Sequence, residues 1–218
     1  ALVALALDLI MRRDTGDRCS LDDLMRALWQ RYGQSRDGVP ERGVEAIASE
    51  VSGLDLTDFF AQALDSTDDL NLAELLASVG VGMRLRSSRG DNDTGNVSDV
   101  FEPVEPAADI GLRLQPGVAE AQVAAVLDAR PARNAGLAPG DVLVAINGLR
   151  ASPATAGDLL RQAEIGQPLK IHAFRRDELM RFVVTPELAP ADTCELCLNP
   201  NVSADVLARR AVWLGDAG

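Results

Sequence analysis

Few side chains in this sequence are equipped for chemistry. The one histidine, His172, and the three cysteines, Cys19, Cys194 and Cys197, are the groups best suited to hold a metal or attack an electrophile. A zinc peptidase of the H-E-x-x-H type needs two histidines one helical turn apart, with a glutamate between them as base. One histidine excludes that motif from the chain. Cys194-Glu-Leu-Cys197 has the spacing of a zinc knuckle but lacks a second pair, and on a strand positions three apart face opposite sides. Cys19 precedes a helix cap, where a thiol is either acidified or a neutral bystander. His172 lies in the alternating run LKIHAF and reads as a side chain on a sheet face. Asp22, Asp23, Asp68 and Asp69 stand at helix starts, where they complement the helix dipole. No catalytic residue is assigned.

The elements that position these groups fall into two characters. Residues 1 to about 80 carry apolar side chains at helical spacing. Ser20 with Asp23 forms a capping box, Asn71 with Glu74 a second cap, and Pro40 suits a first helical turn. The opening run ALVALALDLIM is 11 residues long, too short to span a bilayer, and Asp8 interrupts it. A helix apolar nearly all round wants neighbours on several sides, so this chain reads as a fragment that self-associates through that face or is marginally stable. VGMRLR, residues 81–86, alternates as a strand. Residues 87–106 have the polar, acidic composition of a linker. From 107 to 187 come short alternating runs, IGLRL, QVAAVL, VLVAI, LKIHAF and LMRFVV, with a helical segment at 154–164. Residues 188–218 begin with the strand-like TCELCL and end in a helix capped by Ser203. The fold class is α+β: a helical subdomain (1–86), a linker (87–106), a small β-barrel or sandwich domain (107–187) and a C-terminal strand and helix.

The net charge of −12, with no dense basic run to offset it, sets the surface against nucleic acid and anionic lipid. The expected partners therefore exclude nucleic acid and membrane.

The most distinctive stretch is AGLAPGDVLVAING, residues 135–148. Gly136 lets the chain leave a helical turn at positive φ, and Pro139-Gly140 fits a tight turn. Asp141 is placed to accept hydrogen bonds from that turn. Val142, Val144 and Ile146 share one strand face, and Asn147-Gly148 signals a reversal.

PARNAGLAPGDVLVAINGLR resembles the core signature of PDZ domains of the bacterial protease type, and the resemblance extends over 107–187. It places Asp109-Ile110-Gly111-Leu112 at the carboxylate-binding loop and SPATAGDLLRQAE at the groove helix. It implies that backbone groups of Ile110, Gly111 and Leu112 receive a peptide carboxylate, and that the peptide adds as a strand beside GLRLQ. Leu159, Leu160 and Ala163 are then the apolar wall. No histidine stands at the start of the helix, so the wall suits an apolar ligand side chain rather than Ser or Thr. Pro106-Ala107-Ala108-Asp109 stands where many such domains carry Arg or Lys, and an acidic residue there is expected to weaken binding of a free C-terminus.

The order ALVALALDLIMRRDTG, SLDDLMRALWQRYG, LDLTDFFAQAL, LAELLASVGV, linker and PDZ-like domain, with IHAFRRDELM, DTCEL and WLG, resembles the C-terminal half of the glycyl aminopeptidase family. These are zinc metallopeptidases with a thermolysin-like catalytic domain. The resemblance implies a parent hydrolase whose zinc, H-E-x-x-H motif and assisting tyrosine lie upstream of Ala1. The chain itself holds no cofactor. Its expected role is non-catalytic, binding peptide or docking on the catalytic half. The competing class is a stand-alone PDZ adaptor with no enzyme attached. A third is a metal or redox module built on the cysteines.

Overall fold

The computed structural model describes residues 1–34, 38–90 and 93–215. Among the described residues five α-helices come first: α1 (Leu2–Thr15), α2 (Leu21–Leu28), which a wide π-helical turn (Trp29–Gly33) extends, α3 (Gly43–Ser52), α4 (Thr57–Asp65) and α5 (Leu72–Ala77). Strands β1 (Val81–Arg86), β2 (Asn96–Ser98), β3 (Ala108–Asp109), β4 (Leu112–Leu114) and β5 (Ala121–Val126) follow. Then come α6 (Pro131–Asn134), β6 (Val142–Ile146), β7 (Leu149–Arg150) and α7 (Ala156–Arg161). The chain closes with β8 (Leu169–Arg175), β9 (Glu178–Val184), β10 (Glu187–Leu188), β11 (Thr193–Leu198) and α8 (Ala204–Leu214). The fold is α+β.

The chain divides into two compact units, each discontinuous in sequence. The first comprises Ala1–Arg84, Val97–Phe101 and Glu195–Gly218; the second comprises Leu85–Asn96 and Glu102–Cys194. The stretch expected as a linker (87–106) therefore contributes to both, and it carries β2, next to β11 in a sheet of order β1-β11-β2. Asp91 and Asn92 of that stretch lie outside the described residues.

In the first unit α1 sits between two apolar clusters. Leu7 and Met11 pack with Leu24, Ile47 and Phe60, while Ala6 and Leu9 pack with Leu75, Val79 and Val81. Two buried flanks explain why the helix is apolar nearly all round. Asp8, the interrupting charge, accepts from the Leu21 N–H at the start of α2 (2.9 Å) and from Arg12 Nε (3.1 Å). The expected capping box is present: Asp23 Oδ2 accepts from the Ser20 N–H at 2.9 Å. Asn71 likewise caps α5 through the Glu74 N–H. Pro40 differs from expectation. It lies before α3, in a turn closed by the Gly43 N–H on the Pro40 carbonyl, because Arg42 adopts φ 57° and cannot continue a helix. In the same unit Glu195, 1% exposed, receives Arg84 Nε at 2.6 Å, and the Arg84 guanidinium lies 4.6 Å from the Phe101 ring centroid.

The second unit is built on a sheet of order β4-β5-β6-β8-β9, with β7 pairing β6. The sheet does not close into a barrel, so β4 and β9 are its end strands. Alternation decides its core. Leu169, Ile171 and Ala173 of β8 are buried while Lys170 and Phe174 are exposed. The β8–β9 hairpin turns on Arg176 and Asp177, both at positive φ, as a two-residue reversal requires.

Candidate functional site

The site grows out of the joint between β3 and β4. Strand β3 pairs with β10, Asp109 opposite Glu187 and Ala108 opposite Leu188. The chain then bends through Ile110 and Gly111 into β4. Gly111 has φ 75°, and a Cβ there would lie 2.2 Å from Arg130 Cβ, so only glycine fits. The loop carbonyls are used inward: Ile110 O accepts from the Ala132 N–H and Gly111 O from the Leu127 N–H, both at 2.8 Å. Leu112 stands opposite Val126 in the β4–β5 ladder. Because Gly111 bonds to β5, strand alternation turns the main-chain groups of Leu112 to the other side, the open edge of the sheet.

Helix α7 faces that edge. Gly157, Leu160 and Arg161 line, with Ile110, Leu112 and Leu114, a groove of about 300 Å³. Ala189, Pro190, Asp192 and Thr193 wall one flank, and Ser88, Gly90 and Asp93 contribute further lining. Of the sequence-derived residues, Ile110, Leu112 and Leu160 are brought together here, with Gly111 as the bend between the first two. Leu159 and Ala163 are not. They line a separate cavity of about 440 Å³ with Ile146, Asn147 and Leu169. Leu159 lies on one side of the helix and Ala163 in the turn just beyond its end, whereas 157, 160 and 161 form another stripe. The three side chains expected to form one wall therefore line two different cavities. Gly157 and Arg161 were missed, and the i, i+3, i+4 spacing around Leu160 was the signal that identifies them.

Asp109 is not a bare acid at the loop. Arg130 Nη2 lies 2.8 Å from its Oδ2 and Arg113 Nη1 3.5 Å from its Oδ1. Arg130 also donates to the Leu188 carbonyl at 3.3 Å, and Arg113 lies 4.0 Å from Asp192. Two guanidiniums thus offset the charge expected to repel a carboxylate: Arg113 follows the loop directly, whereas Arg130 comes from 21 positions away and is not indicated by sequence adjacency. Asp93 is held well below the usual carboxylate range by hydrogen bonds from Arg86 and from the N–H groups of Arg89 and Gly95.

The turn at 135–141 is scaffold. Leu137 is buried, the Gly140 N–H reaches the Val123 carbonyl at 2.8 Å, and the Ala138 N–H reaches Asp141 Oδ2 at 2.9 Å. Asp141, 1% exposed, also receives Arg175 Nε and Nη2, each at 2.8 Å. Burial disfavours its ionised form, but the Arg175 and Ala138 hydrogen bonds outweigh that and hold its pKa below the ordinary value. The Asp141–Arg175 pair ties the start of β6 to the end of β8, and the main chain of Gly140 and Asp141 holds Val123 of β5, the strand that pairs with β4.

The remaining candidates disperse. His172 is on β8 opposite Arg181, within the sheet. Cys194 is exposed and Cys197 buried, as opposite strand faces demand. Burial first, and Asp23 second, push the Cys19 thiol above its ordinary pKa, opposite to the acidified alternative; its Sγ lies 3.7 Å from the Val51 carbonyl. Among the described residues no three His, Cys, Asp or Glu side chains group to hold a metal, and no helix is long and apolar enough to cross a membrane.

No protein-family model matches the chain, and no curated protein matches it significantly. Among solved structures, an aminopeptidase N family protein from Idiomarina loihiensis is similar over 98% of this chain, at 28% identity and a TM-score of 0.83. This chain spans 35% of the length of that protein. The HtrA-type protease AlgW with decapeptide is similar over 39% of this chain and 30% of its own, at 22% identity and a TM-score of 0.37. A serine endoprotease from Yersinia pestis is similar over 39% of this chain and 30% of its own, at 20% identity and a TM-score of 0.35. The first similarity supports reading the chain as a portion of an aminopeptidase-family protein.

Proposed function

We propose that this chain is the non-catalytic C-terminal part of a zinc aminopeptidase, and that its second unit is a PDZ-like module that takes an extended peptide as an added strand on β4. One observation carries the peptide reading: β4 ends its sheet, its open edge faces α7, and the groove between them is apolar at Ile110, Leu112, Leu114 and Leu160. Main-chain pairing to an edge strand supplies affinity, and alternate pockets supply selectivity. Arg113 and Arg130, which offset Asp109, keep the loop open to a terminal carboxylate.

Hydrolysis belongs to the rest of the parent. The residues here do not fit a catalytic zinc: the chain has one histidine, and its carboxylates at the groove are engaged by arginines. No step of the reaction is assigned to this chain. A titration of the isotope-labelled chain with an unstructured peptide ending in a free leucine is expected to move the amide signals of residues 110–114 and 157–161. Shifts absent there, with peptide in large excess, overturn the reading.

The first unit favours a docking role beside this one. Met25 is 56% exposed and Trp29 62% exposed on one side of α2 and the wide turn that extends it, and the Trp29 ring lies over Gly33. Such a pair is a candidate contact for the catalytic half or for self-association. Trp29→Ala is expected to weaken co-purification with a separately expressed catalytic half. Unchanged recovery and an unchanged oligomeric state remove the docking role. A stand-alone adaptor is distinguished by the absence of an H-E-x-x-H motif in the coding sequence upstream of Ala1.

A further inference from the structure

We infer that the outer face of the second unit's sheet, at β7, β8 and β9, docks an acidic polypeptide segment that carries apolar side chains among its carboxylates. The inference is independent of the groove on β4.

Strand pairing defines the face. Ala145 of β6 stands opposite Arg150 of β7 and opposite His172 of β8, and His172 stands opposite Arg181 of β9. Side chains directly opposite in a ladder point to the same side. Arg150, His172 and Arg181 therefore share one row across four strands. Neighbouring strands are about 4.8 Å apart, so the row is about 14 Å long. Lys170, two positions from His172 along β8, adds a fourth basic group about 7 Å away. Alternation turns this row away from the core, because the intervening Ile171, Ala173 and Phe182 are buried. Arg150, Lys170 and Arg181 are exposed.

These cations are unengaged in a chain with acid to spare. There are 33 Asp and Glu against 21 Lys and Arg, and most of the arginines hold a carboxylate. Arg18 and Arg210 hold main-chain carbonyls instead. Among the described residues, the basic side chains that bond to neither are Arg150, Lys170, Arg176 and Arg181, all on β7 or the β8–β9 hairpin. The acids of that hairpin, Asp177 and Glu178, lie at its turn, and Glu178 stands opposite Arg175, whose guanidinium goes to Asp141. A ligand carboxylate here gains a partner and also offsets the repulsion among neighbouring cations.

The apolar groups of the same face narrow the ligand class. Phe174 and Leu179 stand opposite each other, Val183 stands opposite Lys170, and all three are exposed. A polypeptide with aliphatic side chains between its acids meets both kinds of group. A nucleic acid or an anionic membrane is a long array of charge that also meets the rest of a surface with net charge −12. A short segment stays within about 10 Å, one Debye length, of the cations. An isologous dimer through this face sets like charges against each other.

The test uses the full chain and a short labelled peptide of Glu, Leu, Ser and Gly with both ends blocked, so that no terminal carboxylate is present. Its counterparts carry Gln for Glu, or Ser for Leu, and a single-stranded oligonucleotide of equal charge is the fourth probe. Fluorescence anisotropy is expected to give the Glu–Leu peptide about tenfold tighter binding than the Gln counterpart, weakened by salt, with the Ser counterpart and the oligonucleotide in between. R150A, K170A and R181A are each expected to weaken it about threefold, and F174A to remove the advantage of Leu over Ser. The amide signals that move should be those of residues 170–174 and 179–183. Equal binding of the Glu and Gln peptides, tighter binding of the oligonucleotide, affinity unchanged in R150A, K170A and R181A, shifts confined to 110–114 and 157–161, or no binding at all each overturns the inference. The peptide series tests the charge without any substitution in the protein, so a variant that fails to fold leaves the outcome decidable.

Discussion

Arg130 lies across Gly111, its Cβ at 2.2 Å and its Cγ at 2.6 Å from the position a Cβ on residue 111 would take. The same side chain continues to Asp109 and to the Leu188 carbonyl. One arginine therefore packs the bend, offsets the acid before it and ties β10 to β3. The shape of the loop and the larger part of its charge balance thus meet in one side chain, with Arg113 3.5 Å from the same acid.

Gly111→Ala is expected to cost about 3 kcal/mol, combining left-handed backbone strain with displacement of Arg130. Amide hydrogen exchange in β6 and β8 reports on this unit, because Trp29 and Trp213 both belong to the other one. Exchange protection equal to that of the native chain would show that the bend tolerates a side chain.

Asp141 makes the second unit acid-sensitive. Its pKa is lowered by folding, so its contribution is fully present above the unfolded-state value of about 3.9 and is lost as pH falls through the lower folded value. The unit should lose stability progressively below about pH 4. D141N is expected to flatten that dependence. D141A is expected to cost about 3 kcal/mol at neutral pH by leaving Arg175 and the Ala138 N–H unpaired. Denaturant titrations at neutral pH and at about pH 3 check both, and an unchanged acid slope in D141N counts against the assignment.

The cysteines should differ in reactivity. Cys194 is exposed, whereas Cys19 is buried with its thiol pushed up and Cys197 is buried. Iodoacetamide at mildly alkaline pH is expected to label Cys194 first and the other two only on unfolding. Mass spectrometry of the time course reads this directly, and early labelling of Cys19 would show that its burial is incomplete.

Most of the element list was legible in the sequence, and particular residues show why. Ser20 with Asp23, Asn71 with Glu74, and Asn147-Gly148 act within four residues of themselves, so their chemistry is written in the local string. The limits of α7 were less legible: 154–164 was expected and Ala156–Arg161 is helical, with Gln162 and Ala163 continuing as turn. The groove was legible as a loop and a helix. Its wall was not, because the sequence shows a helix's stripes without saying which one meets a strand.

The sequence by itself determined the local conformations: the helical and alternating periods, the turn at Pro139-Gly140, and the glycine that the bend at 111 requires. Only the tertiary structure decided the partners. Asp141 meets Arg175 across 34 positions, Asp109 meets Arg130 across 21, and Glu195 meets Arg84 across 111. It also decided that 87–106 enters both units and that Gly157, Leu160 and Arg161, rather than Leu159 and Ala163, face β4. The reason is physical. Backbone torsions and turns answer to neighbours a few residues away, whereas a charge pair or a groove wall depends on how distant strands and helices stack, and spacing along the chain does not encode that distance.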